Sequence, residues 1–539
     1  MKKAISQTGR LLAPVVMAML LTATANAAAP GITGPTFNLT AQAAYISQPD
    51  GAAVYSWGYG CNGAPSGFAP AAITNTFCNS MQVPGPTLIV TQGQTVTVNL
   101  TNQLPLSAGN TSILFPGLNV TTSGGVAGAL TQEAAPNGGT VTYSFVASSP
   151  GTRAYYSGTQ GDLQVEMGLY GAIIVIPAAA NIPANCTTGV FASNAAAKAN
   201  WGESDFRLAA AAYSNPQACY DREYLFQFSE MDPFIHRQAE EQVANAAAAC
   251  TAGGAGSMGC SLNVPTEPYR PAYFMVNGRS MPDLMDPNYA SEYPHQPYNG
   301  NPHMHPGELT LIRVIGTGRW QHPFHEHGNH VRILARDGNL ILAPDGASLA
   351  GPLLFTTTTT PGLAFDGIFY WTAKGLNWDA YGHNPTSSDP NAKLTCAPDA
   401  NGYNTGAPTA INYFEWCQDH NKPLQVAPFG DVPAGGPATL PDPNLFTNGA
   451  WFSGSPYLGP NATSRATFGT CDNTGANCST TGTTPPSGTI ANNPSTEAGF
   501  AFMWHSHNER EITTNNIFPG GMLMMMLVDS REFVIDESM

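Results

Sequence analysis

Between Pro84 and Pro177 the chain alternates apolar and polar residues in short runs separated by turns, and a period of two restricts such a segment to β structure. LIVTQGQTVTVNLTNQ breaks at a Gly turn, VTYSFVA resumes the alternation, and GLYGAIIVI closes the block as a buried strand. Successive side chains of a strand point to opposite faces, so each alternating run offers one apolar face that must be covered by another layer. Short strands with turns between them predict a sandwich or barrel. A second strand set opens at Glu223 with EYLFQFSEM, continues through YFMVNGRSMPD at 273–283 and runs into GELTLIRVIGTG at 307–318. Between these runs, HRQAEEQVANAAAA at 236–249 has helix-favouring composition. Only 10% of the residues are charged, and 56 Gly and 45 Pro punctuate the chain, which excludes a long helical bundle or coiled coil.

Charge and cysteine usage bound the compartment and the partners. With 20 Lys+Arg against 36 Asp+Glu the net charge is −16, so a phosphate backbone is repelled and nucleic acid is excluded as a partner. Lys2, Lys3 and Arg10 precede an apolar run from Leu11 to Ala23 and then Ala25-Asn26-Ala27, the order of a cleavable secretory signal over residues 1–27. That run is too short for a membrane span, and no other stretch qualifies. The mature protein is therefore expected to be soluble and exported, periplasmic or extracellular. The ten Cys fall as sequence neighbours, Cys61/Cys78, Cys186/Cys219, Cys250/Cys260, Cys396/Cys417 and Cys471/Cys478, and neighbour-paired disulfides suit an exported chain.

The expected organisation is a first β domain at 28–180, a connection at 181–222 and a second β domain at 223–535. Residues 376–497 read as an insertion in the second domain, polar, rich in Asn, Thr, Gly and Pro, and carrying four of the Cys. The chain closes with GGMLMMMLV, whose Met522, Met524, Met525 and Met526 read as a buried terminal strand in preference to soft Cu(I) ligands.

The 12 His are distributed unevenly: none precedes His236, and six fall in HPFHEHGNH, with His322, His325, His327 and His330, and in WHSH, with His505 and His507. Residues two apart on a strand share a face, so His325/His327 and His505/His507 each send two imidazoles into one space, and adjacent strands bring the pairs together. Four imidazoles without a thiolate suit Cu, Zn, Fe or Ni, with Cu(II) favoured on affinity. Glu326, Glu509 and Glu511 offer acceptors for imidazole N–H groups, hard ligands, or a hydrogen-bonded polar plug. His303 and His305, in HMHPGE, read as surface histidines at a strand entrance, and the isolated His236, His295, His383 and His420 are given no role.

At this point the chain resembles the multicopper oxidase family. PGPTLIVTQGQTVTVNLTN through PGTRAYYSGTQGDLQVEMGLYGAIIV is similar to the first cupredoxin domain of that family. YFMVNGRSMPD, PGELTLIRVIGTG, HPFHEHG, LARDG and FMWHSH...GGM are similar to its copper-binding closing domain. The spacing leaves no room for a whole middle domain. The resemblance therefore implies an all-β fold of two cupredoxin-like Greek-key β-sandwich domains with a long disulfide-tied loop insertion.

It also implies chemistry, residue by residue. The family reduces O2 at a trinuclear copper cluster held by four His-x-His pairs, fed by a type 1 copper on Cys and two His. Here SILFPG at 112–117 and YYSGT at 155–159 stand where the first two pairs belong, so the first domain lacks copper ligands. His322 matches a type 1 ligand, and His325, His327, His505 and His507 match cluster ligands. Ser506 stands in the place of the type 1 Cys, and Glu511 where the second type 1 His is expected. The reading is an exported copper-binding protein and oxidoreductase with a reduced copper site and no type 1 copper. It meets a small-molecule or metal-ion reductant and O2, with homo- and hetero-oligomers left open. The alternative is a non-catalytic cupredoxin-fold scaffold or copper-sequestering protein.

Overall fold

A computed structural model describes residues 28–73, 78, 81–374, 397–410, 412–418, 454–458, 490–491, 498–531 and 533–537. Its strands form four main sheets that stack as two sandwiches, which realises the all-β expectation. In the first sandwich one sheet runs in the order Gly151–Tyr156, Tyr170–Ile176, Leu88–Thr91, Gly31–Thr33 and Phe68–Ala69. The facing sheet runs Ala53–Cys61, Thr36–Ser47, Thr95–Asn102, Thr140–Val146 and Thr121–Gly124. Alternation fixes the register: Val96, Val98 and Leu100 lie opposite Phe145, Tyr143 and Val141, and all six point into the core. The turn before Thr95 needs a positive φ, which Gly93 supplies at 89°.

The second sandwich positions the His clusters. One sheet runs Tyr273–Val276, Arg222–Met231, Leu309–Gly316, Ala364–Tyr370, Val331–Arg336 and Asn339–Leu340. The other runs His303–Met304, Leu523–Asp529, Ala498–Ser506, His322–Glu326 and Thr356–Thr359, and Gly454–Leu458 also pairs with Ala498–Ser506. Phe226, Phe228, Val314 and Phe369 from the first meet Phe324, Phe502, Trp504 and Met524 from the second. Met522, Met524 and Met526 are fully buried in this core, where unbranched, polarisable side chains fill irregular space.

The two sandwiches touch through small residues that let backbones approach: Ala154, Ala172 and Ile174 of the first pack on Leu225, Ile315 and Ala364 of the second. A buried polar tie crosses the same seam. Thr152 Oγ1 donates to Asp366 Oδ1 at 2.6 Å, Arg313 Nη1 donates to Thr152 Oγ1 at 3.1 Å, and Arg313 Nη2 pairs with Glu223 at 2.8 Å. Pro233–Gly253 is a helix, longer at both ends than the composition at 236–249 suggests. Asp232 caps it by accepting from Phe234 N at 2.9 Å, with Pro233 in the first turn. A second helix, Gly189–Asn200, lies within the 181–222 segment.

Three disulfides join sequence neighbours, Cys61–Cys78, Cys186–Cys219 and Cys250–Cys260, and Cys417 is also disulfide-bonded. Cys396, Cys471, Cys478, His383, His420, the signal-like residues 1–27 and most of 376–497 lie outside the described residues. No helix among the described residues is long and apolar enough to cross a membrane.

The surface placement of the HMHPGE pair is corrected. His303 and His305 are 2% and 1% exposed, because His303–Met304 pairs with Leu523–Asp529 and the segment after Asp529 folds over them. His303 Nδ1 bonds Asp529 at 2.5 Å and His305 Nε2 bonds Glu203 at 2.6 Å, so each buried imidazole holds a carboxylate, while His303 Nε2 finds no partner among the described residues. His236 is buried likewise, its ring nitrogens bonding the Tyr55 and Glu166 carbonyls at 2.6 and 3.0 Å.

Candidate metal centre

His322–Glu326 and Ala498–Ser506 are antiparallel neighbours with Phe324 opposite Ser506, His325 opposite His505 and Glu326 opposite Trp504. Phe324 and Trp504 face the core, so alternation sends His325 and His505 to the other face of that sheet. The pairing continues past both strands: His327 N donates to Met503 O at 3.3 Å and His507 N to Pro323 O at 2.8 Å. Trp504 Nε1 donates to His327 O at 3.0 Å, pinning the turn that carries the third imidazole.

His325, His327 and His505 each offer one ring nitrogen, and these atoms all lie within 4.8 Å of one another. His327 Nε2 and His505 Nε2 are 3.3 Å apart. His505 Nδ1 donates to the Ser506 carbonyl at 2.7 Å, an assignment that the acceptor dictates and that leaves the Nε2 lone pair facing the cluster. His325 Nδ1 bonds Thr356 Oγ1 at 2.7 Å, which orients that ring in the way outer groups orient metal-bound imidazoles. Burial, then the charges of His327, His505 and His507, push the pKa of His325 down to about 4. Burial and the neighbouring His507 lower that of His505 as well, despite its bond to the Ser506 carbonyl. His325 and His505 are thus held toward the neutral imidazole, the protonation state that ligation requires. His507 is exposed and stands beside the three, its ring centroid 4.8 Å from that of His325.

His322 is not brought to this cluster. It lies on the core face with Phe324, fully buried, and both ring nitrogens are taken: Nδ1 bonds Glu511 at 2.8 Å and Nε2 bonds Glu230 at 2.9 Å. Ser506 donates to the same Glu511 oxygen, and Asn508 Nδ2 donates to its other oxygen at 2.9 Å. Glu230 in turn accepts from the backbone N–H groups of Arg319 and Trp320 at 2.6 and 2.8 Å. Burial opposes a charged His322, yet hydrogen bonds to and charges on Glu230 and Glu511 prevail and lift its pKa to about 9. An imidazolium between two carboxylates therefore fills the place where His322, Ser506 and Glu511 converge.

Glu326 does not serve the imidazoles either. It points to the opposite face from His325, is fully buried and accepts from Thr357 Oγ1 at 3.1 Å, while its Oε2 finds no partner. Burial pushes its pKa well above the carboxylate range, so it is a neutral acid. Glu509 is exposed. Sequence reasoning missed Glu230, and the signal was present: it is the one acid near the end of Arg222–Met231, a strand buried at all ten positions. In the first sandwich Phe115 and Tyr155 of SILFPG and YYSGT pack together in the core with ring centroids 5.9 Å apart.

The family model for multicopper oxidase matches residues 70–180. The laccase abr2 of Aspergillus fumigatus is 35% identical over 118 residues, 21% of this chain and 18% of that protein. The multicopper oxidase MCE of Talaromyces pinophilus is 37% identical over 118 residues, again 21% and 18%. The aligned stretch thus spans under a fifth of these curated relatives. Among solved structures, the multicopper oxidase mgLAC is 15% identical with a TM-score of 0.42, covering 92% of this chain and 86% of that one. The blue copper oxidase from Nitrosomonas europaea is 14% identical with a TM-score of 0.42, covering 92% and 85%. A multicopper oxidase domain implies copper as cofactor, and three convergent imidazoles are a donor set that copper accepts. Residues 70–180 of the chain match the multicopper oxidase family, and a stretch of 118 residues is similar to the two fungal members of that family.

Proposed function

We propose that this protein is an exported copper-binding oxidoreductase whose one copper centre is held by His325, His327 and His505, with His507 at its edge and no type 1 copper. The observation that carries the reading is the convergence of three ring nitrogens within 4.8 Å from two adjacent strands. Copper bound there would supply one-electron redox chemistry toward O2 or a small-molecule or metal-ion reductant. The chain's own residues set the stage. Ser506 O fixes the His505 tautomer, Thr356 orients His325, and Trp504 holds the His327 backbone. The lack of type 1 copper is supported by Ser506, whose neutral hydroxyl replaces a thiolate, and by His322, whose nitrogens are both committed to carboxylates. Export is supported by the disulfides, which persist in oxidising compartments.

A second reading, a scaffold or copper-sequestering protein, is favoured by the apolar packing of Phe115 and Tyr155 in the segments where the family keeps ligands. Oxygen consumption by the copper-loaded protein with phenolic or metal-ion reductants separates the two. Steady consumption that disappears in His325→Ala supports the oxidoreductase; copper binding without turnover supports sequestration.

A further inference from the structure

A cleft of about 380 Å³ lies where the two sandwiches meet, and Gly318 in its wall lies against the Glu230 carboxylate that holds His322. Its volume is in the range of small-molecule sites. Leu114, Tyr156 and Tyr170 line it from the first sandwich and Thr317, Arg319 and Pro361 from the second. The space is kept open by small residues. A Cβ at Gly158 would strike Leu114, and one at Gly362 would come 3.2 Å from the Tyr156 hydroxyl. Leu130, which also lines the cleft, is 69% exposed, apolar surface that a bound ring would remove from water.

Two polar features define what fits. In a chain of net charge −16, Arg319 is the only charged residue among the described residues that line the cleft. Its guanidinium lies over the Tyr269 ring at 4.1 Å and donates to the Thr266 carbonyl at 3.0 Å, while its ion-pair partner Glu267, at 2.8 Å, is 71% exposed, so this pair is one that water and a competing anion readily replace. The Tyr156 hydroxyl makes no hydrogen bond to a described residue, whereas that of Tyr170 donates to Ser229 at 2.9 Å. The cleft therefore combines aromatic and aliphatic walls, one available hydroxyl donor and one guanidinium.

We propose that this cleft binds a small planar aromatic carboxylate, its ring between the tyrosine and leucine walls and its carboxylate on Arg319 and the Tyr156 hydroxyl. A guanidinium matches a carboxylate in charge and planar geometry. The Thr317–Arg319 wall leads directly to Glu230, whose carboxylate holds the Arg319 and Trp320 N–H groups and His322, so an occupant leans on the segment that ends in the His322 ion pair.

Calorimetric titration of the metal-free full chain with benzoate tests this, so the outcome does not depend on copper binding. Benzoate is expected to saturate one site and to bind more tightly than its neutral isostere benzamide. Arg319→Gln should weaken benzoate about tenfold, the loss of one charge-assisted contact. Gly161→Phe should abolish binding by filling the rim; a Cβ there meets nothing within 4 Å, so this variant keeps the fold if Arg319→Gln does not. Absence of saturable benzoate binding, equal affinity for benzamide, or unchanged affinity in folded Gly161→Phe overturns the proposal.

Discussion

His325 stands directly across from His505 in the antiparallel ladder, with ring centroids 5.5 Å apart. Side-chain faces repeat every two residues, so a one-residue slip of either strand would send its imidazole into the core with Phe324 and Trp504. Phe324 and Trp504, each just before a His pair, thus set the register that assembles the site. Phe324 packs 6.0 Å from Trp504 and 4.9 Å from Phe228, and those contacts hold the two strands in the pairing that brings the imidazoles together.

The His322 ion pair makes stability depend on pH. Its folded pKa, about 9 in spite of burial and because of Glu230 and Glu511, lies above the ~6.5 of an unfolded histidine. The contribution is therefore complete below about pH 6.5 and is lost as pH rises through about 9. Its size is of the order of 3 kcal/mol. Denaturant midpoints compared between about pH 6 and pH 10 should fall more steeply in the wild type than in His322→Gln, which is less stable from the start. Parallel pH profiles would contradict this.

Ser506→Cys should not create a blue copper site. Glu511 accepts from Ser506 and bonds His322, so both nitrogens of His322 already serve carboxylates and no second imidazole is brought there among the described residues. Copper-loaded Ser506→Cys should lack the intense thiolate-to-copper absorption; its appearance would show that the His322 cluster opens to admit a metal.

Asp366→Ala should loosen the seam between the sandwiches. It removes the acceptor for Thr152 and for the Tyr213 hydroxyl, and strips Arg313 of a carboxylate 3.7 Å away. A destabilisation of about 3 kcal/mol or more is expected from breaking one arm of a buried network. Urea unfolding measures it; a change within experimental scatter would mean that the apolar contacts of Ala154, Ala172 and Ile174 carry the seam alone.

Much of this was legible before the structure. Period-two alternation located strands such as Thr95–Asn102 and Arg222–Met231, and neighbour spacing located three disulfides. Which way a residue of a buried strand points was harder to read. His322 shares its strand with His325 but lies three positions away, on the other face, where it met a carboxylate from a strand 92 residues earlier. Glu326 likewise took the core face because His325 took the other. His303 and His305 looked superficial in HMHPGE because the residues that cover them, Asp529 and Phe533, come more than 220 positions later. An acid such as Glu230 stands out as a charge inside an apolar strand, but nothing local shows which distant histidine it meets.

The central claim, that His325, His327 and His505 hold copper, is tested most directly by Cu(II) titration of the purified full chain, with metal content and electron paramagnetic resonance read together. The wild type should bind one copper tightly with nitrogen hyperfine structure, weakened by more than about a hundredfold in His505→Ala. A wild-type protein that retains no copper, or a His505→Ala variant that binds it equally tightly, would contradict the account.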